Sequence, residues 1–178
     1  MPRPQIIDYA PYYEKYIDLV KEEDLIQAFK NQHIESEDIL NPITEEKALI
    51  AYEPGKWSIK ELTQHLIDGE RIFSYRALSV ARGETNSLPP FDQDLYALNS
   101  HADEREWQDI KNEFMQLRNS TFQLFNSFKK DTLAIKGTLN NHAITPLSLG
   151  YIIIGHTAHH FKILKERYLI LSSSKYVT

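Results

Sequence analysis

The sequence contains no cysteine. That excludes disulfide staples, thiolate metal sites and a cysteine nucleophile of the chain's own, and it is neutral toward a reducing compartment. No apolar run is long: the longest, Leu147 to Gly155, falls far short of a bilayer span. Positive charge is not in excess either. The formal net charge is -5, and no stripe of Lys and Arg interleaved with aromatics offers a footprint for nucleic acid. Met1-Pro2-Arg3-Pro4-Gln5 leads into charged, tyrosine-rich sequence instead of an apolar secretion segment. The expectation is a soluble cytoplasmic protein with neither a membrane nor a nucleic-acid partner. A length of 178 residues with 42% hydrophobic content suits one domain, residues 1–178, with a proper core.

Glycine is scarce, six residues in all, and apolar residues recur every three or four positions over long stretches. Helix is therefore the dominant expectation. The clearest start is Ser58-Ile59-Lys60-Glu61, a capping box in which the hydroxyl serves the third helical amide and Glu61 reaches back. From it Leu62, His65, Gly69, Ile72 and Arg76 fall at alternating steps of three and four, the inward seam of a bundle helix, and Gly83 is a natural stop. A third long segment, read as starting at Ser100-His101-Ala102-Asp103, carries Trp107, Ile110, Phe114, Leu117, Thr121, Leu124 and Phe128 on its seam. Its simplest role is core. A fourth begins at Thr145-Pro146, a cap followed by proline at the first helical position, and its seam reads Leu149, Ile153, His156, His160, Ile163 and Arg167.

The first long segment, capped by Asp24, places Leu25, Phe29, Gln32, Ser36 and Ile39 or Leu40 on one face, polar in its middle. Tyr9 to Val20 suggests a short extra helix entered at Pro11, within an N-terminal extension spanning residues 1–22. Thr44-Glu45-Glu46-Lys47 suggests one more short turn. The fold class is all-α, a four-helix bundle. The stretch from Gly83 to Ser100, with Pro89-Pro90 inside it, exceeds the usual connection. A helix like the second is about 35 Å long at 1.5 Å per residue, and an extended chain of this loop's length covers that at about 3.3 Å per residue. A long crossover then lets helices two and three run parallel, while the shorter link around Lys136-Gly137 makes helices three and four antiparallel.

His156 and His160 stand one turn apart on one helix face, the spacing with which two imidazoles grip one ion. His65 lies on the seam of another helix and points to the same interior. A histidine on an apolar stripe is more often a hydrogen-bonded core residue than a ligand. Three of them in one interior would each need a separate polar partner there. Three neutral nitrogens around one ion leave a position open, the signature of a catalytic site. His159 competes with His160, although the alternation of the apolar residues leaves His159 at the seam's edge. His33, His101 and His142 lie at or near loops or helix edges and suit the surface.

Arg76 and Arg167 occupy seam positions toward helix ends. Either they snorkel to water, or one of them meets an anionic group of a substrate near the metal. Gln32 is a cavity-lining, ligand-binding candidate or a boundary residue. Asp68 either orients an imidazole or is an exposed helix charge. Asp92 and Asp94 cap a short turn or approach the mouth of the site. The aromatic cluster Tyr9, Tyr12, Tyr13 and Tyr16 is available as a surface for a partner.

These residues resemble the DinB/YfiT-like superfamily. The likeness rests on Gly55-Lys56-Trp57-Ser58-Ile59-Lys60-Glu61, on His65-Leu66-Ile67-Asp68 with Glu70-Arg71-Ile72-Phe73 and Tyr75-Arg76, on Phe91-Asp92-Gln93-Asp94, and on Gly155-His156-Thr157-Ala158-His159-His160. It runs from about Asp24 to Tyr168. The resemblance implies an up-down-down-up bundle and a divalent ion, zinc or nickel, held by His65, His156 and His160. It implies a homodimer acting on a small-molecule substrate. It also implies a metal-dependent enzyme that activates a low-molecular-weight thiol, such as bacillithiol or mycothiol, for S-transfer to small electrophiles. The absence of cysteine fits a nucleophile supplied by a co-substrate. A second reading is a hydrolase that activates water at the metal, with Asp68 or Glu70 as base. A third is a non-catalytic, stress-related binding bundle.

Overall fold

The computed structural model describes residues 3–169. Residues 1–2 of the expected extension and 170–178 of the expected domain lie outside the described residues. Short turns Ile6–Asp8 and Pro11–Tyr13 lead into α1 (Glu14–Ile17). Then come α2 (Leu25–Leu40), α3 (Glu45–Ala48), α4 (Ile59–Ala81), α5 (Gln93–Leu98), α6 (Trp107–Ser127) and α7 (Lys130–Leu133). A hairpin of β1 (Gly137–Leu139) and β2 (His142–Ile144) precedes α8 (Pro146–Ile163), which continues as a π-helical stretch, Leu164–Leu169. The long helices α2, α4, α6 and α8 make the bundle. None of the described helices is long and apolar enough to cross a membrane.

Three of the four long helices start where a side chain serves their free amides. Asp24 accepts from the Gln27 amide at 2.9 Å, and Ser58 and Glu61 form the expected reciprocal box. Thr145 and Ser148 do the same for α8, with the Ser148 hydroxyl in place of a carboxylate. The third long helix departs from expectation. Its start is Trp107, not Ser100, because His101 adopts a left-handed backbone (φ 50) and Ala102–Glu104 forms a separate 3-10 turn. Glu106 offers α6 no side-chain cap; the Glu45 carboxylate on α3 accepts from the Trp107 amide at 2.7 Å instead.

Registers between helices define the topology. Along α4, Lys60, Arg71 and Ser74 meet Arg105, Glu113 and Thr121, so α4 and α6 run parallel. Phe29, Gln32 and Ile43 meet Phe125, Arg118 and Trp107, so α2 and α6 are antiparallel. Trp57, His65 and Phe73 meet Tyr168, His160 and His156, so α4 and α8 are antiparallel as well. The result is up-down-down-up, with the crossover expected over Gly83 to Ser100 running on to Glu106.

The crossover is tied down by a hairpin that periodicity did not suggest. Asn140 and Asn141 take left-handed conformations (φ 50 and 65), the geometry of a tight hairpin turn. The Leu88 amide donates to the Thr138 carbonyl at 3.0 Å, which docks the crossover on β1.

Apolar packing divides into two clusters. One gathers Phe29, Phe73, Phe125, Tyr151 and Ile154, the other Leu40, Ile67, Phe114 and Phe161. On each long helix a buried polar residue falls between the two: Gln32, Glu70, Arg118 and Thr157. The seam of α6 is therefore not wholly apolar. Leu117 and Leu124 are only half-buried, while Arg118 and Phe125 are buried.

Residues 3–20 cross the outside of α8. A Cβ on Gly155 would stand 2.0 Å from the Tyr16 carbonyl oxygen, so the two backbones touch where no side chain intervenes. Arg3 ties this segment by donating to the Ile17 carbonyl at 2.7 Å. The expected tyrosine surface is thereby corrected. Tyr9 and Tyr16 are buried and Tyr13 half-buried, leaving Tyr12 exposed, because packing on α8 consumes that face.

Candidate metal centre

The capping box at Ser58 sets the register of α4, and His65 follows two turns later facing α8. His156 and His160 face it one turn apart. The side-chain nitrogens that the three can offer lie within 4.8 Å of one another, and His65 Nε2 and His156 Nε2 are 3.0 Å apart. Three ring centroids separated by 4.7 to 4.9 Å close the triangle. Nitrogens about 2.0–2.1 Å from a tetrahedral ion stand about 3.3 Å from each other. The cluster therefore has the dimensions of ligands around one ion.

Its electrostatics agree. Burial pushes His65 down to about 4 and His160 down to about 3, and it holds His156 well below the ordinary imidazole value, with the neighbouring histidines adding to the shift. All three are neutral at pH 7, the form in which imidazole ligates. Trp57 lies against His65 with centroids 4.8 Å apart, and Tyr16 meets His156 edge-on at 5.4 Å. Gly69 leaves the space that the His156 ring uses: a Cβ there would lie 3.3 Å from His156 Cε1. His159 is half-buried, points to Tyr16 and lies outside the triad.

Two cavities reach the cluster. The larger, about 310 Å³, has His65 and His156 on its wall with Tyr13, Phe73, Arg76 and Phe91. The other, about 250 Å³, includes His160, Trp57, Lys56 and Asp94. Phe91 and Pro90 belong to the crossover and Asn140 to the hairpin turn. The long connection thus closes one side of the site.

Among the polar residues singled out from sequence, Arg76 comes to the cavity and Arg167 is exposed. Gln32 is buried away from the cavity lining. It donates to the Ile154 carbonyl at 2.8 Å and accepts from Arg118 Nη1 at 2.9 Å. Asp68 accepts from Gln64 at 3.0 Å and bonds no imidazole. Glu70 is sealed in the core, with Arg118 Nη2 2.9 Å from its Oε2, and burial pushes its carboxyl up. Asp92 caps α5 by accepting from the Asp94 and Leu95 amides. His33, His101 and His142 are partly or wholly exposed. The residues that periodicity missed are Tyr16, which arrives from outside the bundle, and Arg118, which also donates to Thr157 beside His156 at 2.7 Å.

A helical bundle with three neutral imidazoles converging from two helices defines a class, proteins able to hold one metal ion between α4 and α8 with a cavity at its side. The particular family follows from the sequence, since residues 28–164 match the DinB superfamily and the chain belongs to it. Among solved structures, the chain is similar to YfiT from Bacillus subtilis, described as a probable metal-dependent hydrolase with an unusual four-helix bundle topology. The two are 14% identical with a TM-score of 0.72, over 96% of this chain and 93% of that one. At that identity the likeness is one of fold. No curated protein matches the chain.

Proposed function

We propose that this chain is a metal-dependent enzyme. It uses a divalent ion, zinc or nickel, at His65, His156 and His160 to activate a low-molecular-weight thiol for transfer to a small electrophile. The observation that carries this reading is the cavity beside His65 and His156. Its walls are aromatic, with Arg76 as the charged group and no carboxylate among its lining residues. Imidazole ligands suit both metals. An ion bound there supplies Lewis acidity, which lowers the pKa of a thiol or water at its open positions. The chain's own residues hold the imidazoles neutral, exclude bulk water with Trp57, Tyr16 and Phe73, and leave the nucleophile to a co-substrate, since the sequence has no cysteine.

A second reading, hydrolysis, is favoured by the description of YfiT and by Asp94 on the His160 side, where a carboxylate can take a proton. We further propose a cytoplasmic homodimer; sedimentation checks the dimer and cell fractionation the compartment.

Metal analysis of the purified protein beside His156→Ala tests the site, and equal metal content in both sinks it. The metal-loaded protein is then incubated with a panel of thiols and a chlorinated aromatic acceptor. Metal-dependent thiol consumption supports transfer. Ester or amide cleavage without added thiol selects hydrolysis, and inactivity in both assays selects a binding role.

A further inference from the structure

Three cationic side chains are buried among the described residues: Lys60, Arg76 and Arg118. Lys60 has the Glu45 carboxylate and Arg118 has Glu70. Arg76, 3% exposed, has no carboxylate partner among the described residues. Its Nη2 donates to the Pro89 carbonyl at 2.6 Å, which fixes the guanidinium against the crossover. The Phe73 and Phe91 rings flank it, 5.6 and 5.7 Å from Cζ to centroid, and the Tyr13 hydroxyl lies beside it. Ring faces and a carbonyl soften the burial of a cation but leave its charge unbalanced.

The same side chain lines the cavity that reaches His65 and His156. No carboxylate lines that cavity, so an incoming anion meets no repulsion there. The walls around it, Tyr13, Tyr16, Phe73 and Phe91, suit an apolar body. At about 310 Å³ the space lies at the small end of ligand pockets.

We propose that Arg76 receives the anionic group of the substrate, a small molecule with a carboxylate at one end and an apolar body between it and the histidines. A guanidinium fork matches a planar carboxylate in shape as well as charge. The inference rests on reading the three-histidine cavity as the substrate site, and it supplies that reading with a substrate class.

The test uses benzoate and its neutral isostere benzamide as probes, titrated calorimetrically into the protein as purified and after chelator treatment. Benzoate is expected to bind at least tenfold tighter than benzamide in both forms. Arg76→Met is expected to erase the preference at unchanged metal content, and Arg76→Lys to keep part of it. Should Arg76→Met fail to fold, the wild-type preference and its partial loss in Arg76→Lys decide the matter. Equal affinity for the two probes in the wild type, a preference that survives Arg76→Met, or no saturable benzoate binding overturns the proposal. A preference for benzoate in a protein that never holds metal supports Arg76 and removes the metal reading. Retained metal without a preference does the reverse.

Discussion

Arg118 and Glu70 face each other in the middle of the bundle, Nη2 2.9 Å from Oε2, with both side chains almost wholly excluded from water. Arg118 also donates to Gln32 on α2 and Thr157 on α8, so one guanidinium joins four helices. Removing one partner of such a pair leaves the other charge buried and uncompensated. Arg118→Met is expected to cost about 3–5 kcal/mol in urea unfolding. The double variant Arg118→Met, Glu70→Leu should recover most of that. A single variant within about 1 kcal/mol of wild type would contradict the account.

The contact between Gly155 and Tyr16 carries a second prediction. A methyl group at 155 has nowhere to go, since the obstacle is the Tyr16 backbone oxygen at 2.0 Å and not a flexible side chain. Gly155→Ala should lift residues 11–17 from α8 and cost about 1–3 kcal/mol. Limited proteolysis should then cut near Lys15 faster than in the wild type. Unchanged cleavage there would show that the segment tolerates the methyl group.

His159 and His160 are adjacent, yet they belong to different surroundings. His160 is among the three clustered imidazoles, whereas His159 meets Tyr16 and lies partly in solvent. His159→Ala should retain the metal of the wild type, and His160→Ala should lose at least tenfold in affinity. A chelator competition titration reads both. The opposite order would exchange the two ligands.

The histidines also predict an acid dependence for the metal-free protein. An unfolded imidazole titrates near 6.5. His65 is pushed down to about 4 and His160 to about 3 in the folded state, so the unfolded chain binds more protons between those values. Stability is then full above pH 6.5 and falls as pH drops toward 4 and 3. Each such group adds a slope of about 1.4 kcal/mol per pH unit. Asp68 and Glu70, whose carboxyls burial pushes up, act in the opposite sense. Urea midpoints at pH 7, 6 and 5 should therefore fall less steeply in His65→Gln than in wild type after chelator treatment. Parallel curves would mean that His65 is not the titrating group.

Particular residues show how far the sequence reads. The triad was legible because His156 and His160 break an apolar stripe at helical spacing, and Ser58 sets where His65 falls. Arg118 was not, for a geometric reason. A seam projected every 3.5 residues drifts from a straight helix of 3.6, and by the second half of α6 the inward face has moved from Leu117 and Leu124 to Arg118 and Phe125. The hairpin escaped because three-residue strands carry no measurable period, although Asn140-Asn141 is a turn signal that could have found it.

Local chemistry alone therefore determined the helices, most of their caps and the inward face on which each imidazole stands, since each depends on residues a few positions apart. Only the tertiary structure decided what surrounds those imidazoles. Tyr16 crosses α8 at Gly155, Phe91 arrives on the crossover, and Arg76 ends inside a cavity without a counter-charge. Such contacts join residues tens of positions apart, and the chain's local pattern holds no record of which of them will meet.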